Sequence, residues 1–165
     1  MIQRKKAQND QTDKRRIKST KVTIDGIEFA SKAEAKYYCY LKRKREEGEI
    51  IDIKIQPKFE LQPKCERYGR TYLPITYIAD FVVTYSDGRK VVIDVKGYSM
   101  EDATLKRKMF AFKYPYLQLI WVAQSQKYSQ TGWMEYDELQ KARRTVKKSK
   151  ASIAKEKAVS KTLWG

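Results

Sequence analysis

The sequence predicts a mixed α/β (α+β) domain with a central mixed sheet flanked by helices, and three observations lead there. Apolar residues recur at helical spacing over Ser31–Glu47 and again over Glu101–Tyr114. Short runs rich in Val, Ile, Tyr and Phe occupy Ile50–Leu61, Tyr77–Tyr85, Lys90–Lys96 and Leu117–Ala123. The resulting order of helix, strand, hairpin, helix, strand buries its apolar faces as a sheet covered by helices. At 165 residues the chain holds one domain with a substantial core and is too short for two comfortable ones.

Each element has a local reason. Val22–Phe29 carries an Asp25-Gly26 turn and reads as a short hairpin. The first helix sets Ala33, Tyr37, Tyr40 and Leu41 on one face, and Gly48 supplies its stop. Ile50–Leu61 is a strand or a pair of strands, broken at Pro57. Lys64–Tyr72 is polar, contains Gly69 and reads as a loop. Tyr77–Tyr85 and Lys90–Lys96 are strands joined through Ser86-Asp87-Gly88-Arg89. The second helix is expected to turn Leu105, Met109 and Phe112 inward and to end before Pro115, ahead of a last buried strand at Leu117–Ala123.

Charge sets the organisation around this core. The chain has 36 Lys and Arg against 20 Asp and Glu, a net of +16. An excess of that size calls for an anionic partner such as nucleic acid or an acidic membrane surface. No apolar run approaches the ~20 residues needed to cross a bilayer, so membrane spanning is not expected. The charged start lacks the apolar stretch of a secretory signal. Residues 1–20 hold seven basic and two acidic side chains, and this arm is read as disordered until it meets a partner. Residues 137–165 hold nine basic and three acidic side chains, and a marginal amphipathic helix and a solvated basic tail both fit them. The folded domain is therefore placed at 21–136.

The residue inventory narrows the chemistry. There is no histidine. That removes Cys/His zinc fingers, Ser-His-Asp hydrolases and histidine-driven RNA cleavage together. The two cysteines, Cys39 and Cys65, make neither a disulfide framework nor a zinc set, as expected of idle thiols in a cytosolic chain. Any catalysis must run on carboxylates, lysine and a hard metal ion.

Two carboxylates stand out because they interrupt apolar strands. Asp80 lies between Ala79 and Phe81, and Asp94 between Ile93 and Val95. Aspartate is depleted in strand interiors, and burying it unpaired costs several kcal/mol. Asp94 and Lys96, two apart, point to one face. Whether Asp80 joins them depends on hairpin register. A two-residue Asp87-Gly88 turn would put Asp80 opposite Val95 and the carboxylates on opposite faces. A three-residue Ser86-Asp87-Gly88 loop puts Tyr85 opposite Arg89 and Asp80 opposite Asp94. Gly88 is placed for the left-handed position of that loop, so the second register is expected. Like charges that close need a cation to stay ionised.

The segment YIADFVVTYSDGRKVVIDVKG at 77–97, an Asp on one strand and Asp-Val-Lys on the next, resembles the PD-(D/E)XK nuclease superfamily, with Ala79-Asp80 in place of Pro-Asp. FASKAEAKYY at 29–38 resembles the helix that brings a further Glu to the site in Holliday-junction resolvases. With GEIIDIKIQPKFEL at 48–61 and KYPYLQLIWVA at 113–123, the chain is similar to small phage and prophage endonucleases over roughly residues 21 to 123. The resemblance implies a restriction-endonuclease-like αβββαβ core and phosphodiester hydrolysis leaving a 5′-phosphate. It implies Mg²⁺, with Mn²⁺ able to substitute, held by Asp80, Asp94, the Val95 carbonyl and Glu34, directly or through water. Lys96 would orient the attacking water or stabilise the transition state. It also implies branched DNA, four-way junctions foremost, in phage recombination or replication, a homodimer, and the cytoplasm of a bacterial host.

Blander readings stand beside these. Asp80 and Asp94 can form a polar strand face paired with Lys or Arg. Glu34 fits a capping box with Ser31. Gln56 suits ordinary edge polarity and also lies within reach of the site edge. Lys106, Arg107 and Lys108 fit a solvated helix face, with phosphate contact as the alternative. Lys14, Arg15 and Arg16, and Arg143 and Arg144, read as phosphate-binding positions or as solubilising ends. The 12 tyrosines suit core positions, or stacking on unpaired bases. The rival classes are a non-catalytic nucleic-acid-binding protein on a nuclease-like fold and a basic ribonucleoprotein component.

Overall fold

The computed structural model describes residues 20–98 and 101–163, with side chains described as far as Ile153. Lys14, Arg15 and Arg16, with nearly all of the expected N-terminal arm, lie outside the described residues. The fold is mixed α+β, built on a five-stranded mixed sheet. Strands β1 (Val22–Ile24) and β2 (Ile27–Phe29) form the expected hairpin, turning through Asp25 and Gly26 at φ 53° and 75°. Both central residues with positive φ define the tight turn that matches strand twist. Helix α1 (Lys32–Glu46) follows, with Ser31 as N-cap. Gly48, at φ 79°, ends it: Gly48 and Glu49 return backbone N–H bonds to the Arg45 and Lys44 carbonyls, a Schellman stop.

The main sheet contains β3 (Ile50–Ile55), β8 (Phe81–Tyr85), β9 (Lys90–Val95), β10 (Gln118–Gln124) and β11 (Trp133–Glu135) in the spatial order β11-β10-β9-β8-β3. Helix α2 (Glu101–Lys113) makes the crossover between the parallel strands β9 and β10, and the remaining neighbours are antiparallel. The sequence α1–β3–β8–β9–α2–β10 reproduces the expected helix, three strands, helix, strand order. Helix α3 (Tyr136–Leu163) runs from β11, so the basic C-terminal segment is a helix where the sequence left helix and tail open. Its start is anchored by the wholly buried Leu139, while Arg143 and Arg144 are exposed.

Alternation along β9 divides the core. Val91, Ile93 and Val95 pack with Phe81, Val83 and the α1 residues Ala35, Tyr37 and Leu41 on one face. Val92 packs with Tyr77, Ala79, Leu61 and Phe110 on the other. Asp94, in step with Val92, therefore points to the α2 side. There α2 departs from expectation. Phe110 is its buried residue, whereas Leu105 is 59% and Phe112 91% exposed. Lys106 and Arg107, four and three residues before Phe110 and so flanking that face, are half-buried where a solvated face was expected, and Lys108 is exposed. The apolar stripe at 105, 109 and 112 is a genuine periodicity, but the Phe110 ring meets Phe59 and Tyr77 and sets the rotation, with Met109 half-buried beside it.

Two further corrections concern strands. Tyr77–Tyr85 is not one strand. It bends at Ala79-Asp80 into β7 (Ile75–Ile78), which pairs with β4 (Lys58–Gln62), and β8, which pairs with β3 and β9. The β3–β4 chain bends beside it at Gln56-Pro57. Gln56, at φ 49°, gives its N–H to the Asp80 carbonyl at 2.9 Å, and Ala79 gives its N–H to the Pro57 carbonyl at 3.1 Å. The polar segment after Lys64 is not a loop but a hairpin, β5 (Cys65–Arg67) and β6 (Arg70–Tyr72), closed by Tyr68-Gly69. It escapes apolar alternation because its residues face solvent on both sides. The strand β11 is likewise invisible to periodicity, being three residues long.

Candidate active site

The β8–β9 hairpin decides the geometry. Tyr85 N–H bonds to the Arg89 carbonyl and Gly88 N–H to the Tyr85 carbonyl, both at 2.9 Å, closing the three-residue loop 86–88. Gly88 sits at φ 83°, a conformation that disfavours any side chain. Val83 pairs with Val91 and Phe81 with Ile93, where the paired ladder ends; carried one residue further, that register sets Asp80 opposite Asp94. The expected register is the observed one.

Asp80 leaves the regular ladder at the bend. Its backbone N–H bonds to the Ile93 carbonyl at 3.1 Å, and its carboxylate accepts the Val95 N–H at 2.6 Å. Burial and the facing Asp94 push the Asp80 carboxyl up to about 8, against the help of the Val95 N–H and Lys96. Asp94 is buried, 4% exposed. Its Oδ2 accepts Lys96 Nζ at 2.9 Å and the Tyr77 hydroxyl. Tyr77 in turn accepts Trp121 Nε1–H at 2.9 Å, so a donor relay runs from the indole through the phenol to the carboxylate. Burial first, and then Asp94, hold the Tyr77 hydroxyl protonated far above its usual range.

Trp121 stands opposite Asp94 in the parallel β9–β10 ladder. Its indole has Lys96 Nζ 5.3 Å and the Arg107 guanidinium 4.6 Å from the ring centroid. Arg107 also pairs with Asp137 of α3 at 2.7 Å, and Lys106 Nζ donates to the Thr76 carbonyl at 3.2 Å. These contacts fasten α2 and α3 over the carboxylates. Tyr77, Trp121 and Arg107 as a positioning set were not found from sequence. The available signal was parity: Trp121 and Asp94 share a face once β9 and β10 are taken as parallel neighbours.

Glu34 caps α1 and lies within electrostatic reach of the carboxylate pair. Its carboxylate accepts the Ser31 hydroxyl at 2.8 Å and the Ala30 N–H at 3.0 Å, while Ser31 Oγ accepts the Glu34 N–H at 3.1 Å. That is a capping arrangement. Glu34 is also near enough to raise the Asp80 carboxyl.

Among the described residues no three His, Cys, Asp or Glu side chains form a ready-made metal cage. Mg²⁺ does not need one, since it binds through one or two carboxylates and retains several waters. The facing pair Asp80 and Asp94 is an all-oxygen donor set, and the mutual repulsion that drives Asp80 upward is what a divalent cation would relieve. The residues present fit the ion. No helix among the described residues is long and apolar enough to cross a membrane. Cys39 and Cys65 are free thiols, the first exposed and the second half-buried.

The fold and site define a mixed α+β domain whose sheet carries a facing carboxylate pair beside a lysine. The chain belongs to the family described as protein of unknown function (DUF1064), which matches residues 14–130. That span takes in Lys14, Arg15, Arg16 and every candidate site residue above except Asp137, Arg143 and Arg144 of α3. No curated protein and no solved structure matches the chain.

Proposed function

We propose that the chain is a Mg²⁺-dependent endodeoxyribonuclease with the PD-(D/E)XK type of site, acting on branched DNA, with four-way junctions as the leading substrate. The single observation that carries this reading is Asp80 facing Asp94 across the hairpin, with Lys96 on the same face 2.9 Å from Asp94. Asp80, Asp94 and the Val95 carbonyl would hold the ion, with Glu34 reaching it directly or through water. Mn²⁺ meets the same oxygen donors. The ion supplies a bound water of lowered pKa and neutralises charge on the scissile phosphate.

The protein's own residues do the rest. Lys96 places a positive charge beside the carboxylates, where it orients the attacking water or offsets charge on the phosphate as it becomes pentavalent. The water oxygen bonds to phosphorus and the P–O3′ bond breaks, leaving a 5′-phosphate and a 3′-hydroxyl. Tyr77 and Trp121 keep Asp94 in place through the relay. The exposed Lys108, Arg143 and Arg144, together with Lys14, Arg15 and Arg16, would supply phosphate contacts. A homodimer working in the cytoplasm of a bacterial host during phage recombination or replication completes the proposal, since cutting two strands symmetrically suits a two-fold assembly.

Asp94 is already paired with Lys96 and Tyr77, an observation that favours the rival reading of a non-catalytic nucleic-acid-binding protein. One experiment decides between them. Labelled four-way junction, linear duplex and single strand are incubated with the protein, with and without Mg²⁺, beside Asp94→Ala and Lys96→Ala. Metal-dependent cleavage abolished by either substitution supports the proposal. Tight binding without cleavage in Mg²⁺ or Mn²⁺ would sink it.

A further inference from the structure

The bend that holds Asp80 also launches an arm. Strands β4 and β7 run out from it as a two-stranded ribbon whose base packs on α2 through Phe59, Tyr77, Phe110 and Tyr114. Pro63 and Pro74 stand opposite one another in the register shared by the Gln62–Ile75 and Cys65–Tyr72 pairs, so the ladder lapses there. Beyond them the β5–β6 tip faces solvent: every residue from 63 to 74 except Cys65 is exposed.

The tip is built against its own stability. Its two-residue turn places Tyr68 at φ 50° and Gly69 at φ 70°, the conformation that favours Asn-Gly. A bulky side chain there is uncommon, and the Tyr68 ring is 99% exposed and gains no packing in return. Directly behind the turn, Arg67 and Arg70 are paired across the ladder, and like charges placed so repel. An anionic partner offering a flat face relieves both features at once, because cations bind phosphates and an exposed phenol stacks on bases.

Resting on the nuclease reading above, we propose that this ribbon is a nucleic-acid-contacting arm in which Arg67 and Arg70 hold backbone phosphates and Tyr68 stacks on an unpaired base at a branch point. From Asp80 to Gly69 is eleven residues of mostly extended chain, roughly 35 Å at ~3.3 Å per residue, which matches one turn of duplex DNA. The arm therefore sets the branch about one helical turn from the bond that is cut.

The test uses the full chain in EDTA, where no cutting occurs, with four-way junction and linear duplex carrying 2-aminopurine beside the branch. Tyr68→Asn suits the turn better than tyrosine and is expected to raise the melting temperature. It is also expected to weaken junction binding about tenfold relative to duplex and to abolish the quenching of 2-aminopurine. Arg67→Ser with Arg70→Ser is expected to lower the slope of log affinity against log salt by about two. Unchanged junction preference, quenching and salt slope in these variants, with native protein that cleaves DNA in Mg²⁺, would overturn the arm alone. Native protein that neither binds nor cuts any DNA would overturn the nuclease reading and the arm with it.

Discussion

Replacing Asp80 by asparagine removes a group that the metal-free fold holds unwillingly as a charge. An ordinary aspartate loses its proton near 3.8, whereas burial and Asp94 make Asp80 keep it to about 8. Between those values the folded chain binds more protons than the unfolded one, so this group lowers stability as pH rises through the window. At pH 7 the full linkage amounts to about 4 kcal/mol, at 1.36 kcal/mol per pH step. Asp80 is only half-buried, and solvent screening reduces that to about 2 kcal/mol. The asparagine carbonyl still accepts the Val95 N–H, though without charge, a loss of about 0.5–1 kcal/mol. Asp80→Asn is thus expected to stabilise the protein by about 1–2 kcal/mol at pH 7, raising its melting temperature by about 3–6 °C. Urea unfolding in EDTA at several pH values measures this, and the gap between variant and native protein should open from pH 4 towards pH 8. Mg²⁺ at ten times its dissociation constant should then add about 1.4 kcal/mol to the native protein and little to the variant. A variant less stable than native at pH 7.5, or a gap independent of pH, refutes the account of Asp80. Equal stabilisation of both by Mg²⁺ refutes its role as a ligand.

Other substitutions probe the supports of the site. Tyr77→Phe breaks the relay to Asp94 and leaves Trp121 Nε1–H without its acceptor, so urea unfolding should show a loss of about 1–3 kcal/mol. Ser31→Ala removes the α1 cap and one partner of Glu34, with an expected loss of about 1 kcal/mol in the same assay. Gly88→Ala forces a side chain into φ 83° and should cost about 1 kcal/mol or more, with slower cleavage if the hairpin register loosens. Leu139→Ala empties a fully buried position where α3 meets the sheet, and a loss of about 2–5 kcal/mol by thermal melting is expected.

The parts of this fold that were readable in the sequence are those governed by local rules. Gly48 and Ser31 bound α1 because capping depends on a few neighbouring residues. Gly88 determined the register of the β8–β9 hairpin because a three-residue loop needs one left-handed residue, and that register alone placed Asp80 opposite Asp94. What escaped was set by distant partners. The face of α2 follows Phe110, whose ring meets Phe59 and Tyr77 from another part of the chain, and no periodicity within α2 distinguishes it from Phe112. Tyr77 and Trp121 looked like core aromatics, since only the assembled sheet brings the phenol between the indole and Asp94. The β5–β6 hairpin lacks an apolar face to betray it.

The double bend at Gln56-Pro57 and Ala79-Asp80 separates two lengths of the chain that answer to different constraints. On the sheet side the pairing of Phe81 with Ile93 must stay in register for the carboxylates to meet. On the ribbon side nothing beyond Pro63 and Pro74 touches that register. Adding one residue to each strand of the tip would lengthen the ribbon by ~3.3 Å while Asp80 and Asp94 stay where they are. On the proposed reading the ribbon is a ruler whose length can be changed without recalibrating its zero, and editing residues far from the chemistry would move the cut position along a substrate.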